Sequence, residues 1–479
     1  MTPAQTEKLG QAEFLRSNGR IDECMRLCNE VLNEKIDTPE AIFMIGRCFL
    51  DLGKHGIAHS LYMQFLRLKP NVAPAWNNLG RSYMECNQLD EAERCFKRAL
   101  KLEPQDGVAM SNLGLVHLNR CESKAAIDWS QKAITITPEF RAARHNLGLA
   151  YLMEQNWGPG WDNFESSVGY NADRKERIYG EEVRWDGDKG KTVIAFGEQG
   201  LGDEISFASC LPDFIRDCKE AVIECDSRLQ GLFQRSFPSA SVYGTRFVEV
   251  IDWANRHRLQ GRVAFGSLPK FYRRATEDFP GQPYLVADPQ RRIQWRALLD
   301  SLGTKKKIGI SWQGGLNKTG KSRRSINLES LLPVLRQDAT FVSLQYKNAA
   351  EDVKVIEEMY GIKIHHWPQC VEAKDYDETA ALVAELDMVI SVTTAVIHLS
   401  GALGIPCLVL TPKSPRWFYG LNGDSLPWYK SVHLIRQKRA GDWLDPINEA
   451  AYQLRNFING KQHGNLELHG ADRRDLRVA

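Results

Sequence analysis

The stretch AWNNLGRSYMECNQLDEAERCFKRALKLEP, residues 75–104, decides the architecture. It reads as two helices, with Trp76, Leu79, Gly80 and Tyr83 on the first, Ala92, Phe96 and Ala99 on the second, and Pro104 at the close. Small Gly and Ala residues let antiparallel helices approach closely, large residues fill the gap between them, and Pro ends the second helix. Working outward, the same marks return at a constant step. Ile45-Gly46, Leu79-Gly80, Leu113-Gly114 and Leu147-Gly148 follow one another at that step, as do Pro70, Pro104 and Pro138, and Ala58, Ala92 and Ala126. A fixed period of about 34 residues is the mark of a stacked array of helix pairs.

The period and the eight positions of residues 76–104 resemble the tetratricopeptide repeat, over about Gln5 to Asn171. The first unit, with Cys24, Cys28 and Val31 at its packing positions, is degenerate like an end cap; the fifth, with Leu147, Gly148, Tyr151 and Phe164, is partial. Asn78, Asn112 and Asn146 stand one full period apart on the first helix of successive units. This resembles the asparagine ladder of the O-linked N-acetylglucosamine transferases, whose repeat superhelix holds an extended peptide through bidentate amide bonds. One Asn side chain offers both a donor and an acceptor. The resemblance implies a protein or peptide acceptor or partner in the repeat groove, against the plainer reading that Asn is common at this repeat position. Cys24, Cys28, Cys48, Cys86, Cys95 and Cys121 lie in the array and read as packing residues.

From Lys191 onward the rhythm changes to short apolar runs alternating with helical patterns, the signature of parallel sheets wound with helices. One block has strands near Thr192–Phe196, Ala221–Cys225, Ser241–Tyr243 and Arg262–Phe265. A second has them near Lys307–Ser311, Phe341–Gln345, Ile362–His366, Met388–Val392, Cys407–Leu410 and Val432–Ile435, with Tyr284–Gly303 as connector. Two such domains facing one another make the GT-B arrangement, with ligand at the carboxyl ends of the strands. The expected fold class is therefore α plus α/β, with domains at 1–174 (repeats), 175–283 (first Rossmann-like, acceptor side) and 304–461 (second Rossmann-like, nucleotide-sugar side). Residues 284–303 are the connector and 462–479 a flexible tail.

Three turns carry the chemistry. After the first strand comes Gly197-Glu198-Gln199-Gly200-Leu201-Gly202-Asp203-Glu204, which leads into a helix ending near Leu211-Pro212. Gly200 and Gly202 let the backbone approach a ligand, and Asp203 falls on the first helical turn, as a cleft-facing carboxylate or as a simple helix cap. After the fifth strand, Ser311-Trp312-Gln313-Gly314-Gly315 leads into Lys318, Lys321, Arg323 and Arg324, a basic loop suited to phosphate or else merely solvated. Further on, Val392-Thr393-Thr394-Ala395-Val396-Ile397-His398 passes from strand directly to helix. Free backbone N–H groups and two hydroxyls then form a diphosphate seat. His398 reads equally as a phosphate contact or as a hydrogen-bonded core histidine. Asp375-Tyr376-Asp377 suggests a metal-binding pair but precedes a helix and reads better as its cap.

These turns, together with Ser267-Leu268-Pro269, Arg324-Ser325-Ile326, the run Phe341 to Gln345, the run Asp377 to Leu382, the run His398 to Gly404 and Trp428-Tyr429, resemble the bacterial tetratricopeptide-repeat glycosyltransferases. Their catalytic half is similar to lipopolysaccharide heptosyltransferases. The resemblance runs from the repeats to about Gln437. It implies an inverting, metal-independent transfer from a nucleotide-diphosphate sugar, which is a co-substrate, with no cofactor. It also implies Asp203 as general base, with Glu198 and Glu204 as neighbouring carboxylates. The donor set is Gly200, Gly202, Trp312, Gln313, Gly314, Lys318, Lys321, Arg323, Arg324, Gln345, Thr393, Thr394, Ala395, His398 and Arg416. Asn78, Asn112 and Asn146 are the acceptor set. The chain departs from the family twice. Thr393-Thr394-Ala395 stands for Asp-Thr-Ala, and Ser414-Pro415-Arg416-Trp417 for Asp-Trp-Arg-Trp, so that two carboxylates are lost near the donor site. A non-catalytic nucleotide-sugar or glycan scaffold, and transfer to a DNA base, are the alternatives.

Composition narrows the rest. The 479 residues carry 62 Lys plus Arg against 60 Asp plus Glu, a net charge of +2, which gives no global field for nucleic acid or anionic membrane. Eleven cysteines, an odd number without a CxxC pair, argue against a disulfide framework or zinc ribbon and for a reducing, cytoplasmic setting. No secretory pattern opens the chain. Met388–Leu410 is apolar and has the length of a membrane span, but its Ser, Thr, Gly and Pro residues read as strand, loop, helix, loop, strand.

Overall fold

The computed structural model describes residues 1–170, 174–315, 321–346, 349–371 and 375–460. Lys318 and the tail at 462–479 lie outside the described residues. The chain divides into two compact units, Met1–Glu154 and Gln155–Ala479.

The first unit is the helical repeat array. Its helices are α1 (Pro3–Ser17), α2 (Ile21–Glu34), α3 (Pro39–Asp51), α4 (His55–Leu68), α5 (Ala73–Glu85), α6 (Leu89–Leu102), α7 (Gly107–Asn119), α8 (Ser123–Ile136) and α9 (Arg141–Met153). Each odd helix up to α7 packs on the even helix that follows, and the odd helices also lie against one another in a row. The close approach comes from glycine. A Cβ on Gly46 would stand 2.9 Å from the Tyr62 ring, on Gly80 2.6 Å from Phe96, and on Gly114 2.7 Å from Ser130 Oγ. The turns inside the pairs repeat as faithfully. Gly19, Gly53, Asn87, Cys121 and Gln155 follow one another at the repeat period, and all are left-handed, with φ of 76°, 70°, 58°, 61° and 59°. That conformation closes a helix and frees the chain to reverse.

The second unit opens with α10 (Trp157–Phe164) and holds two sheets. The first has β1 (Val183–Arg184), β2 (Thr192–Phe196), β3 (Glu220–Glu224), β4 (Ser241–Tyr243) and β5 (Gly261–Ala264), in the order β1-β5-β2-β3-β4, all parallel. Helices α11 (Leu201–Phe207), α12 (Leu211–Asp217), α13 (Gln230–Ser236) and α14 (Pro269–Tyr272) accompany it, and α15 (Pro289–Ser301) fills the connector. The helix after the glycine turn stops at Phe207, before Leu211-Pro212, because Pro212 occupies the first turn of a new helix, where its missing N–H costs nothing.

The second sheet has β6 (Lys307–Ser311), β7 (Thr340–Ser343), β8 (Ile364–His365), β9 (Met388–Val392), β10 (Cys407–Thr411), β11 (Ser425–Leu426) and β12 (Tyr429–Arg436). Its order is β11-β12-β10-β9-β6-β7-β8, parallel except for edge strand β11. Its helices are α16 (Lys321–Arg324), α17 (Leu332–Leu335), α18 (Ala349–Tyr360), α19 (Pro368–Val371), α20 (Tyr376–Ala384), α21 (Ala395–Ala402) and α22 (Leu444–Ile458). Every residue of β6, β9 and β10 is buried, as expected of strands covered on both faces. Met388–Leu410 is β9, α21 and β10, and among the described residues no helix is long and apolar enough to cross a membrane. These are the two Rossmann-like domains read from the sequence.

Candidate functional site

The two sheets each send a turn into a helix, and the two helix starts meet. A Cβ on Gly202 of α11 would lie 3.0 Å from His398 Cδ2 and 3.2 Å from Ala395 Cα on α21. Only glycine permits that approach, which is the physical meaning of the second glycine in Gly200-Leu201-Gly202. Gly200 is the residue before α11, and its backbone N–H donates to Asp203 Oδ2 at 3.1 Å. The other oxygen, Oδ1, faces Arg416 across the junction at 4.0 Å. Asp203 is thus both a helix cap and the partner of a cation from the opposite domain.

On the second sheet, Thr394 takes extended backbone before α21, and its hydroxyl is 3.1 Å from Ser391 Oγ. Thr393 is buried, and its carbonyl accepts from Arg324 at 2.6 Å. Arg324 also lies over Gly314, where a Cβ would come 2.7 Å from its Nε. Burial pulls the Arg324 guanidinium below its ordinary pKa, and the charge of Arg416 adds to the pull. His398 is driven down to about 3, first by burial and then by Arg416 and Arg324, so its imidazole is neutral at physiological pH. It is a neutral wall of the site, edge-on to Phe418 at 4.6 Å with Nδ1 3.5 Å from Tyr429 Oη.

Trp312, Gln313 and Gln345 form a hub beside these groups. Gln345 Oε1 accepts from Ser311 Oγ, Trp312 N and Gln313 N at 3.2, 3.2 and 3.0 Å. The buried indole of Trp312 and the Gln313 amide both donate to Asp352, at 2.8 and 3.1 Å. This hub fixes the loop that carries Gly314. The basic segment is short helix α16 where described: Lys321 is half-buried, Arg323 exposed, and neither has an ion pair among the described residues. Asp375 caps α20 by accepting from Asp377 N, as read from the sequence.

Sequence reading named Glu198 and Glu204 only as carboxylates neighbouring Asp203, and missed the groups that bind them and the bridging Tyr284. Arg174 and Glu198, both almost wholly buried, pair at 3.1 Å, and Glu198 accepts from Gly266 N at 3.1 Å, tying the glycine turn to the end of β5. Glu204 is buried against Arg246 and accepts from Asp226 N at 2.9 Å, so it faces the interior. Tyr284 from the connector donates to Ile205 O at 2.6 Å and lies 3.3 Å from Tyr429 Oη, bridging α11 and β12. No local pattern marks Arg174, Arg246 or Tyr284, because each acts through a partner distant in sequence.

The three asparagines lie in the other unit and differ from one another. Asn112 Nδ2 donates to Asn77 Oδ1 at 2.7 Å, and Asn146 Nδ2 to Ser111 O and Oγ at 3.0 and 3.3 Å. Both reach back into the preceding unit, where Phe43 stands at the matching position for Asn78. Asn78 has no side-chain hydrogen bond among the described residues.

Residues 73–106 match the tetratricopeptide repeat model. The chain is 32% identical over 320 residues to Protein FlbA of Caulobacter vibrioides, covering 63% of this chain and 52% of that protein. It therefore spans about half the length of the curated relative it matches. Among solved structures, MamA is 26% identical with a TM-score of 0.29, over 33% of this chain and 91% of that one. A thermophilic tetratricopeptide-repeat protein of Thermus thermophilus is 20% identical with a TM-score of 0.32, over 34% and 89%. The chain carries an N-terminal tetratricopeptide-repeat array followed by α/β domains with parallel sheets.

Proposed function

We propose that the α/β unit is a GT-B glycosyltransferase that takes a nucleotide-diphosphate sugar at the junction of its two domains and transfers the sugar to an acceptor hydroxyl. The observation that carries the reading is the meeting of the two helix starts, with a carboxylate from one domain facing an arginine from the other at 4.0 Å. In this reading the amides at the start of α21, with Lys321, Arg323, Arg324 and Arg416, stabilise the departing diphosphate, and the fixed dipoles of that helix start need no reorganisation. Asp203 takes the proton of the attacking hydroxyl. Its bond to Gly200 N uses one carboxylate oxygen, and the other loses its cationic neighbour once Arg416 turns to phosphate. Trp312 and Gln345 support the donor loop, and His398 closes the site as a neutral group. The array serves a protein or peptide acceptor or partner.

A second reading, binding of nucleotide sugar without turnover, draws on the same carboxylate's service as helix cap and on Thr393 and Ser414 in place of acids. Asp203→Asn separates the two. It keeps the shape and the capping oxygen, so donor binding by calorimetry and the melting temperature should match the wild type. Sugar transfer and donor hydrolysis should fall by at least about 10²-fold, the usual contribution of a general base. Turnover retained in the well-folded variant removes Asp203 as base; no turnover by the wild type leaves the binding reading.

A further inference from the structure

By the repeat period α10 is the second helix of the fifth unit, since Gly160 and Phe164 stand one full period after Ala126 and Ser130 of α8. It nevertheless belongs to the compact unit of the two sheets, and there it touches both domains. Trp161 is wholly buried, and its indole N–H donates to Arg273 O of the first domain at 2.8 Å. Its ring centroid lies 6.4 Å from that of Phe207, the last residue of α11. From the second domain, Trp417 and Trp428 meet it edge-on at 5.5 and 6.3 Å. Phe164 adds a second ring against Trp417 at 6.0 Å, and Phe207 stacks on Trp417 at 6.5 Å. Two arms lead from this helix to the candidate site. Trp417 directly follows Arg416, the residue that faces Asp203. In the other arm Phe164 O accepts from Arg174 Nη1 at 3.0 Å, and Arg174 Nε pairs at 3.1 Å with Glu198, in the glycine turn that leads to Asp203.

We propose that the last repeat helix is a positioning element of the donor site, with Trp161 holding Trp417 so that the Arg416 guanidinium reaches the diphosphate. The proposal rests on the reading of Arg416 as a diphosphate contact, and deepens it by naming what places that arginine. Arg416 is exposed, and among the described residues its guanidinium has no ion pair closer than the 4.0 Å contact with Asp203. Nothing at its tip fixes it, so its reach is set by its backbone. A side chain on a loop is precise only where packing locks its neighbours. The neighbour here is a buried tryptophan lodged among Trp161, Phe164 and Phe207, and large flat rings packed in this way fix orientation as well as distance. The guanidinium itself stays free to turn from Asp203 to phosphate.

The test uses the full chain, with inorganic pyrophosphate as the probe in calorimetry and thermal melts alongside. Trp161→Leu should weaken pyrophosphate binding by at least about 10-fold at a temperature where the variant is fully folded, as for loss of one charge-assisted hydrogen bond. Trp161→Phe keeps a ring against Trp417 and should stay within about 3-fold of the wild type. Trp161→Leu added to Arg416→Ala should weaken binding no further than Arg416→Ala alone, within about 2-fold, because the two act through one contact. If Trp161→Leu does not melt cooperatively, Phe164→Leu, which removes the other α10 ring against Trp417, is read in its place with the same expectations. A lower melting temperature with unchanged affinity, or losses from Trp161→Leu and Arg416→Ala that simply add, overturns the positioning role and leaves the diphosphate seat in place. A wild type that does not bind pyrophosphate removes the seat itself, and the positioning role with it.

Discussion

At the scale of single residues, the candidate site is a place where ordinary side-chain behaviour has been displaced. His398 is held near pKa 3 by burial and by two arginines, against 6.5 for an ordinary imidazole. The sign of the consequence follows from linkage. Between these two values the unfolded chain binds a proton that the folded one refuses, so the stability His398 confers is present above about pH 6.5 and is lost as pH falls toward 3. One such proton corresponds to about 1.4 kcal/mol per pH unit, or about 2 kcal/mol between pH 6.5 and 5. Urea melts at those two pH values should therefore show a smaller acid loss for His398→Gln than for the wild type, by about that difference. An equal loss in both proteins would show that the imidazole is readily protonated in place. Binding of a diphosphate beside Arg324 and Arg416 would neutralise part of the field that depresses His398, and so should raise its pKa.

At the scale of elements, glycine acts for two distinct reasons that a substitution can separate. Gly80 is needed for space, since a Cβ there would lie 2.6 Å from the Phe96 ring. Gly53 is needed for backbone conformation, with φ of 70° and nothing nearer than His55 at 3.9 Å. Gly80→Ala should cost about 1–3 kcal/mol by overpacking and be partly rescued by Phe96→Leu. Gly53→Ala should cost about 1–2 kcal/mol through its left-handed backbone, with no rescue from any neighbour. Thermal melts of the two variants and of the Phe96→Leu combinations check both, and rescue of Gly53→Ala would refute the backbone account. The regular step of Gly46, Gly80 and Gly114 was legible in the sequence because one side chain meets one neighbour in the same pair. The left-handed step was hidden, because Asn87, Cys121 and Gln155 occupy it where Gly19 and Gly53 stand in the first units. Strands β2, β6 and β9 were legible from their apolar runs. The two-residue strands β1 and β11 owe their existence to pairing partners and leave no run to read. The donor turns were equally legible as motifs. That Gly202 touches Ala395 and His398 was not, because that contact joins two sheets whose turns lie far apart in the sequence.

At the scale of the α/β unit as a whole, a site built from two domains requires them to stay in register, and the connections on the side of α20 supply this. Helix α15 of the connector is bound to α20 and the turns flanking it: Arg291 pairs with Asp375 and Glu378 at 2.5 and 3.0 Å, and Arg292 and Arg296 with Glu385 at 2.6 and 2.8 Å. The connector therefore belongs mechanically to the second domain. From the first domain, Arg235 of α13 reaches the nearly buried Asp377 of α20 with both terminal nitrogens, at 2.9 and 2.6 Å. A bidentate pair of this kind fixes orientation as well as distance. Removing the arginine strands a buried carboxylate, so Arg235→Gln should cost about 3 kcal/mol in a urea melt. Asp377→Asn should cost less, since Arg235 keeps Asp288 at 3.2 Å. The double variant should be less destabilised than the sum of the two, with a coupling of about 1–3 kcal/mol. Arg235 and Asp377 make no hydrogen bond or ion pair with Asp203 or Arg416 among the described residues, so a lower affinity for a nucleotide-diphosphate sugar in Arg235→Gln would report the weakened register. Simple additivity of the two substitutions within about 0.5 kcal/mol, with donor affinity intact, would mean that the pair is incidental and that the domains are held by Tyr284 and its partners instead.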